Sequence, residues 1–237
     1  MLKNVLFTNT GKRRLISKHT ILLLCLISIF HSTAFCQSND VGTWFVYFGN
    51  QKINNNWNLQ SDIQYRLKQV PEQNSQLIMR AGLGYNLTPG NHNVLLGGVY
   101  VQTNFSDELN DKPVLEEKRI YQQYLFKQNF KNFYTTHRFR LEERFLPNEF
   151  GLRSRYFLSA QKPLNGKALN KNSVYGSFFN ELFVDVKNTK FDRNRFYAGL
   201  GYAINKDIRI ETGYLIQSQK NSTRGQLQLV LYNNLSF

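Results

Sequence analysis

The chain has 237 residues, 41% hydrophobic and 14% aromatic, with 30 Lys and Arg against 16 Asp and Glu for a formal net charge of +14. That length suits one large β domain or two small ones, and the aromatic content with only five prolines argues against a disordered chain. The only cysteines are Cys25 and Cys36, which excludes a cysteine metal cluster and a disulfide scaffold.

The first segment reads as a signal peptide. Lys12, Arg13, Arg14 and Lys18 form a basic region, Ile21 to Phe30 an apolar one, and Ala34-Phe35-Cys36 a small-x-small site before Gln37. Cleavage is expected after Cys36, leaving 37–237 as a single domain. The apolar core is short for a membrane anchor, and bulky Phe35 disfavours lipidation of Cys36. Five of the 30 basic residues and none of the 16 acidic ones lie in 1–36, so the remainder carries 25 against 16, a net +9, and no cysteine. Beyond Gln37 no apolar run of about eighteen residues occurs, which excludes a helical membrane protein and leaves a β-barrel open.

From Val41 onward one pattern repeats: ten to fourteen residues of alternating character, then a polar or turn-forming break. Trp44, Val46 and Phe48 begin it, ending at Gly49-Asn50-Gln51. Trp57, Leu59, Ile63, Tyr65 and Leu67 then alternate with Asn58, Gln60, Asp62, Gln64 and Arg66, up to a break at Gln69–Asn74. Leu77, Met79, Ala81, Leu83 and Tyr85 oppose Arg80, Gly82 and Gly84, and the chain turns at Thr88-Pro89-Gly90-Asn91. Val94 to Thr103 is too apolar for its inner face to be assigned, and Asn104 to Pro113 reads as an external loop.

Glu117 to Asn129 returns through a tight turn at Lys131-Asn132 into His137-Arg138-Phe139-Arg140-Leu141-Glu142-Glu143-Arg144-Phe145. Read as a strand, this stretch sends Phe139, Leu141 and Phe145 to one face and Arg138, Arg140, Glu142 and Arg144 to the other. Pairing Asn129 with Tyr134 sets Arg119 beside Arg144, Tyr121 beside Glu142 and Gln123 beside Arg140. If Pro147 pairs near Phe150, Arg155 in the next strand, Gly151 to Gln161, lies opposite Glu142. After a loop at Lys162 to Asn172 come three further alternating segments. Val174 to Val186 carries Glu181 and Asp185, Arg193 to Ile204 carries Arg195, and Ile208 to Gln217 carries Arg209 and Glu211, with a turn at Asn205-Lys206-Asp207. The last strand alternates Leu227, Leu229, Leu231 and Leu235 and stops on Phe237.

The expected fold is therefore all-β, an antiparallel up-and-down transmembrane β-barrel with lipid outside and a charged lumen. Leu235 and terminal Phe237 have the form of the closing signal read by the barrel-assembly machinery. About eleven segments are countable, but single-chain bacterial barrels have even strand numbers, so ten or twelve strands are expected. The short turns at Pro89-Gly90, Lys131-Asn132 and Asn205-Lys206 are expected on the periplasmic side.

Arg119, Arg138, Arg140, Glu142, Arg144, Arg153, Arg155, Glu181, Asp185, Arg195 and Glu211 form the expected lumenal ionic network, with Asp62, Arg66 and Arg80 sharing its parity. An arginine on the lipid face at mid-depth costs roughly 2 to 4 kcal/mol, a physical reason for these side chains to face inward. In a narrow barrel they act either as a salt-bridged plug or as the wall of a constricted, anion-preferring pore or ligand pocket lined by the excess arginine. A lipid-modifying enzyme is the competing reading, since His137 and Ser154 share the outward face. The expected register puts Ser154 near Glu143, about six residues or roughly 20 Å along from His137, beyond the reach of a catalytic dyad. Outer-membrane lipid and lipopolysaccharide are the expected partners, with Lys68, Lys112 and Lys190 available to anionic headgroups. Nucleic acid is not expected, and neither a metal nor a cofactor is implied.

His137-Arg138-x-Arg140-x-Glu142-x-Arg144, Leu152-Arg153-x-Arg155-Tyr156, Asn180-Glu181, Phe191-Asp192-x-Asn194-Arg195 and Gly199-x-Gly201-Tyr202 together resemble the domain-of-unknown-function 2490 family. The resemblance spans nearly all of Val41 to Phe237. It implies an exported bacterial outer-membrane barrel with no established activity, and it lends no catalytic residue.

Overall fold

Alternation with period two, broken every ten to fifteen residues, folds as eleven strands. They are β1 (Gly42–Lys52), β2 (Trp57–Leu67), β3 (Asn74–Thr88), β4 (His92–Phe105), β5 (Val114–Phe130), β6 (Phe133–Leu146), β7 (Glu149–Pro163), β8 (Val174–Asp185), β9 (Lys190–Ala203), β10 (Ile208–Gln219) and β11 (Ser222–Asn233). The computed structural model describes residues 41–67, 74–88, 91–105 and 114–235. The expected signal peptide and its cleavage after Cys36, the Pro89-Gly90 turn, Lys68, Lys112, most of the external loop and Phe237 lie outside the described residues.

Each strand pairs antiparallel with its sequence neighbours, and β1 closes the barrel against β11 in parallel, from Gly42↔Gln226 to Gly49↔Asn233. The expectation of ten or twelve strands is thereby corrected to eleven. An even number is required only when every pair is antiparallel. With an odd number the first and last strands run the same way, and a parallel seam between them still leaves no edge. Consequently β1 starts at one end of the barrel and β11 finishes at the other; the latter is called the C-terminal end below.

Short connections are set by local chemistry. Lys131 takes a positive φ of 56° in the two-residue hairpin between β5 and β6, and Asn172 (65°) and Thr189 (49°) do the same in longer turns. Asn54 Oδ1 accepts from the backbone N–H of Asn56 and Trp57, and Asn205 Oδ1 from those of Asp207 and Ile208, so each asparagine replaces a turn carbonyl.

The two faces are inverted relative to a water-soluble β fold. Phe45, Ile63, Leu83, Leu96, Phe139, Leu200 and Leu229 are between 41% and 60% exposed on the outside, while arginine and glutamate fill the inside. Two apolar clusters also line the interior. One gathers Trp44, Val46, Tyr197, Leu215 and Val230; the other Ile78, Leu95, Val99, Val101 and Tyr121. The second assigns the inner face of Val94 to Thr103. Trp44, Val46 and Phe48, whose alternation opens the barrel, point inward as well. Bulky inner rings are accommodated by small neighbours: a Cβ on Gly97 would come within 2.6 Å of the Tyr121 ring and of the Ala81 carbonyl oxygen.

Candidate functional site

The β5–β6 register sets Arg119 opposite Arg144, Tyr121 opposite Glu142 and Gln123 opposite Arg140, as the Asn129–Tyr134 pairing requires. The β6–β7 register is two residues away from the expected one. Leu146 pairs with Glu149, one position earlier on each strand than the expected Pro147–Phe150 pair, so Arg153, not Arg155, stands opposite Glu142, and Arg155 faces Arg140. The two-residue turn is Pro147-Asn148 in place of Asn148-Glu149.

Glu142 is fully buried and is the hub of the lumen. Arg153 Nη2 donates to its Oε2 over 2.6 Å and Arg155 Nη1 to its Oε1, while Arg119 and Arg140 lie 3.6 Å away. Arg155 therefore reaches Glu142 along the diagonal of the sheet and links it to a second hub. Glu181 accepts from Arg155 at 2.6 Å and from Arg138 at 2.8 Å, with Arg195 at 3.7 Å. A third carboxylate, Glu117, sits beneath the like-charged pair Arg119 and Arg144 and bonds both, at 2.8 and 2.5 Å. At the far edge Asp192 pairs with Arg153 and Arg193 at 3.3 and 3.1 Å. From Arg144 to Arg195 the ion pairs form one connected path.

Two residues of the expected network lie apart from it. Asp185 accepts from the backbone N–H and side-chain amide of Asn188, capping the turn after β8. Glu211 is 4% exposed and has no ion pair among the described residues; its surroundings are the hydroxyls of Tyr175, Tyr197 and Ser177. Asp62 pairs separately with Arg80 at 2.6 Å.

Aromatic faces complete the lining. Phe183 lies under Arg155 (4.6 Å from ring centroid to guanidinium carbon), Arg195 (4.7 Å) and Arg153 (5.4 Å), and Tyr121 under Arg140 (4.3 Å). Arg66 stacks 3.9 Å over Trp44 and is held by Gln64 and Gln76, both neutral. Sequence reasoning missed Glu117, Asp192, Trp44 and Phe183. Glu117 was accessible, because two arginines placed side by side on β5 and β6 need a carboxylate between them. Asp192 was not, because it enters through a shift of pairing register at Phe183/Val184.

Between these side chains a cavity of about 90 Å³ remains at the centre, and one of about 220 Å³ opens at the C-terminal end. On the outer wall His92 bonds the Tyr124 hydroxyl at 2.6 Å and His137 that of Tyr156 at 2.9 Å. Ser154 stands opposite Leu141, so it is nearer His137 than the expected register implied, yet four residues along, or roughly 13 Å. The geometry places no serine beside His137, and among the described residues no group of three His, Cys, Asp or Glu could hold a metal ion.

Comparison with known proteins returned one family model, described as "Protein of unknown function (DUF2490)", over residues 41–228. No curated protein and no solved structure matches the chain. The match begins at the first described residue and runs through β1 to β10 into β11, taking in every ion pair of the lumen. With that span covered, the chain belongs to the DUF2490 family.

Proposed function

We propose that this protein is an outer-membrane β-barrel without enzymatic activity whose lumen is closed by its own arginine–carboxylate network. The observation that carries this reading is the inversion of the two faces. Glu142 has no exposed surface while Leu96 and Leu200 are 60% and 57% exposed, an arrangement that is costly in water and favourable when the outer wall meets hydrocarbon. An aromatic circuit adds support. The rings of His92, Tyr124, Phe139, Tyr156, His137 and Phe126 contact one another in a closed loop on the outer wall, with centroid distances from 4.6 to 6.5 Å. Amphipathic rings grouped this way suit the boundary between hydrocarbon and headgroups. Closure of the barrel by ion pairs favours a structural role over free diffusion through the lumen.

Fractionation of the native protein is the first test. It is expected in the outer-membrane fraction, with gel mobility in mild detergent that changes on boiling. Recovery in the soluble fraction without detergent would overturn the reading. In planar bilayers the purified protein is expected to give no steady conductance, and a persistent open channel would replace the plug with a pore.

A further inference from the structure

We infer that the C-terminal mouth of the lumen is a binding site for a small soluble oxyanion carrying several charges, of the phosphate or pyrophosphate class. The cavity of about 220 Å³ there carries five cations, Arg80, Lys127, Arg138, Arg140 and Arg209, against one carboxylate, Asp62. Arg80, Arg138, Arg140 and Asp62 also line the central cavity, so the two spaces adjoin.

Arg80 pairs with Asp62, Arg138 with Glu181, and Arg140 lies 3.6 Å from Glu142, which leaves Lys127 and Arg209 without a paired carboxylate among the described residues. They come from β5 and β10, face the same space and stand close enough to repel each other. Arg209 donates to Gln161, a neutral amide, at 3.1 Å. Deeper in, the Arg80 side chain is 4% exposed, and its Nε has no hydrogen-bond partner; nor has Arg138 Nε. A buried donor without an acceptor and like charges without a counter-charge are both costly, and a single ligand that accepts from guanidinium groups offsets both. Planar guanidinium forks match oxyanions through paired hydrogen bonds, which favours phosphate over halide. The volume admits one such group and excludes a polymer or an acyl chain.

This inference rests on the ionic-lumen reading but not on insertion into a membrane. The test uses the full chain purified in non-ionic detergent, and each preparation is checked first for heat-dependent gel mobility, so that loss of the barrel is distinguished from loss of binding. Titration calorimetry with sodium pyrophosphate at low salt is expected to show saturable binding that weakens as sodium chloride is raised. The double variant Lys127→Gln/Arg209→Gln, which leaves every ion pair described above intact, is expected to bind roughly tenfold more weakly or worse. Lys190→Gln, at the opposite end, is expected to bind as the parent does. Absence of saturable heat from the folded parent would overturn the inference, as would equal weakening by Lys190→Gln. Preference for a short-chain phosphatidic acid over pyrophosphate would overturn the assignment to a soluble anion.

Discussion

Glu142 on β6 stands directly opposite Arg153 on β7, and Arg153 Nη2 donates to it over 2.6 Å inside a barrel whose inner wall carries more arginine than carboxylate. Four guanidinium groups converge on this one carboxylate, so neutralising it leaves them facing each other. Glu142→Gln is expected to lower stability by about 3 to 5 kcal/mol, the cost of stranding a buried charge. The urea midpoint of the detergent-folded protein measures it. Glu142→Gln/Arg153→Met is expected to recover part of the loss, because one of the stranded charges goes with its partner. Glu143→Gln, one residue along and bonded among the described residues only to Gln122 on the outer wall, is expected to stay within about 0.5 kcal/mol of the parent.

The inversion of faces gives a second prediction. Leu229 lies outward on β11 and is 41% exposed. Leu229→Arg is expected to cost roughly 2 to 4 kcal/mol when the protein is unfolded from lipid vesicles, since the guanidinium would meet hydrocarbon. On a water-facing wall the same change costs little. A neutral result in vesicles would therefore count against lipid contact at this position.

Much of this lumen was legible in the sequence because strand parity is unforgiving. The alternation of Arg138, Arg140, Glu142 and Arg144 admits only one face for all four, and the hairpin at Lys131-Asn132 fixes what stands beside them. Parity failed where apolar side chains occupy the inside. Trp44, Val46 and Phe48 alternate just as outward leucines do, and their inward position follows from the polar partners opposite them on β2, Arg66, Gln64 and Asp62, which a single strand does not reveal. It also failed at Pro147-Asn148, where a two-residue turn placed one position earlier moves the register by two without changing any face. The strand number was countable as eleven, and only the assumption of wholly antiparallel closure made that count look wrong.

Inner packing supplies a third prediction. Gly97 faces Tyr121, which is 2% exposed and carries the Arg140 guanidinium over its ring. A methyl group there would meet both the ring and the Ala81 carbonyl oxygen at 2.6 Å, so neither neighbour can yield alone. Gly97→Ala is expected to destabilise the barrel by about 1 to 3 kcal/mol, and Gly98→Ala, where the nearest atom lies 3.9 Å away, by far less. The two urea midpoints, measured side by side, check the difference. Equal effects would mean that the Tyr121 ring is not packed against this glycine.

The parallel seam is the feature least expected from the sequence and the easiest to trap. Phe45 on β1 pairs with Leu229 on β11, both outward, in a register that exists only if the first and last strands run the same way. With Cys25 and Cys36 replaced by serine, Phe45→Cys/Leu229→Cys is expected to oxidise to an intramolecular disulfide, because directly paired strand residues fall within the roughly 4.4 to 6.8 Å that a disulfide spans. Phe45→Cys/Leu227→Cys, two residues out of register on the same face, is expected to cross-link far more slowly. The readout is the mobility of the boiled, non-reduced chain, which rises when its ends are tied. An antiparallel closure would pair Phe45 with a different residue for every shift of register and could not favour Leu229 while also bringing Val46 beside Val230. A companion pair, Tyr47→Cys/Leu231→Cys, therefore settles direction: it is expected to cross-link as well, because Tyr47 pairs with Leu231 when both strands advance together. If Phe45 reacts at position 229 but Tyr47 reacts at 227 in place of 231, the strands run in opposite directions and the eleven-strand closure is wrong.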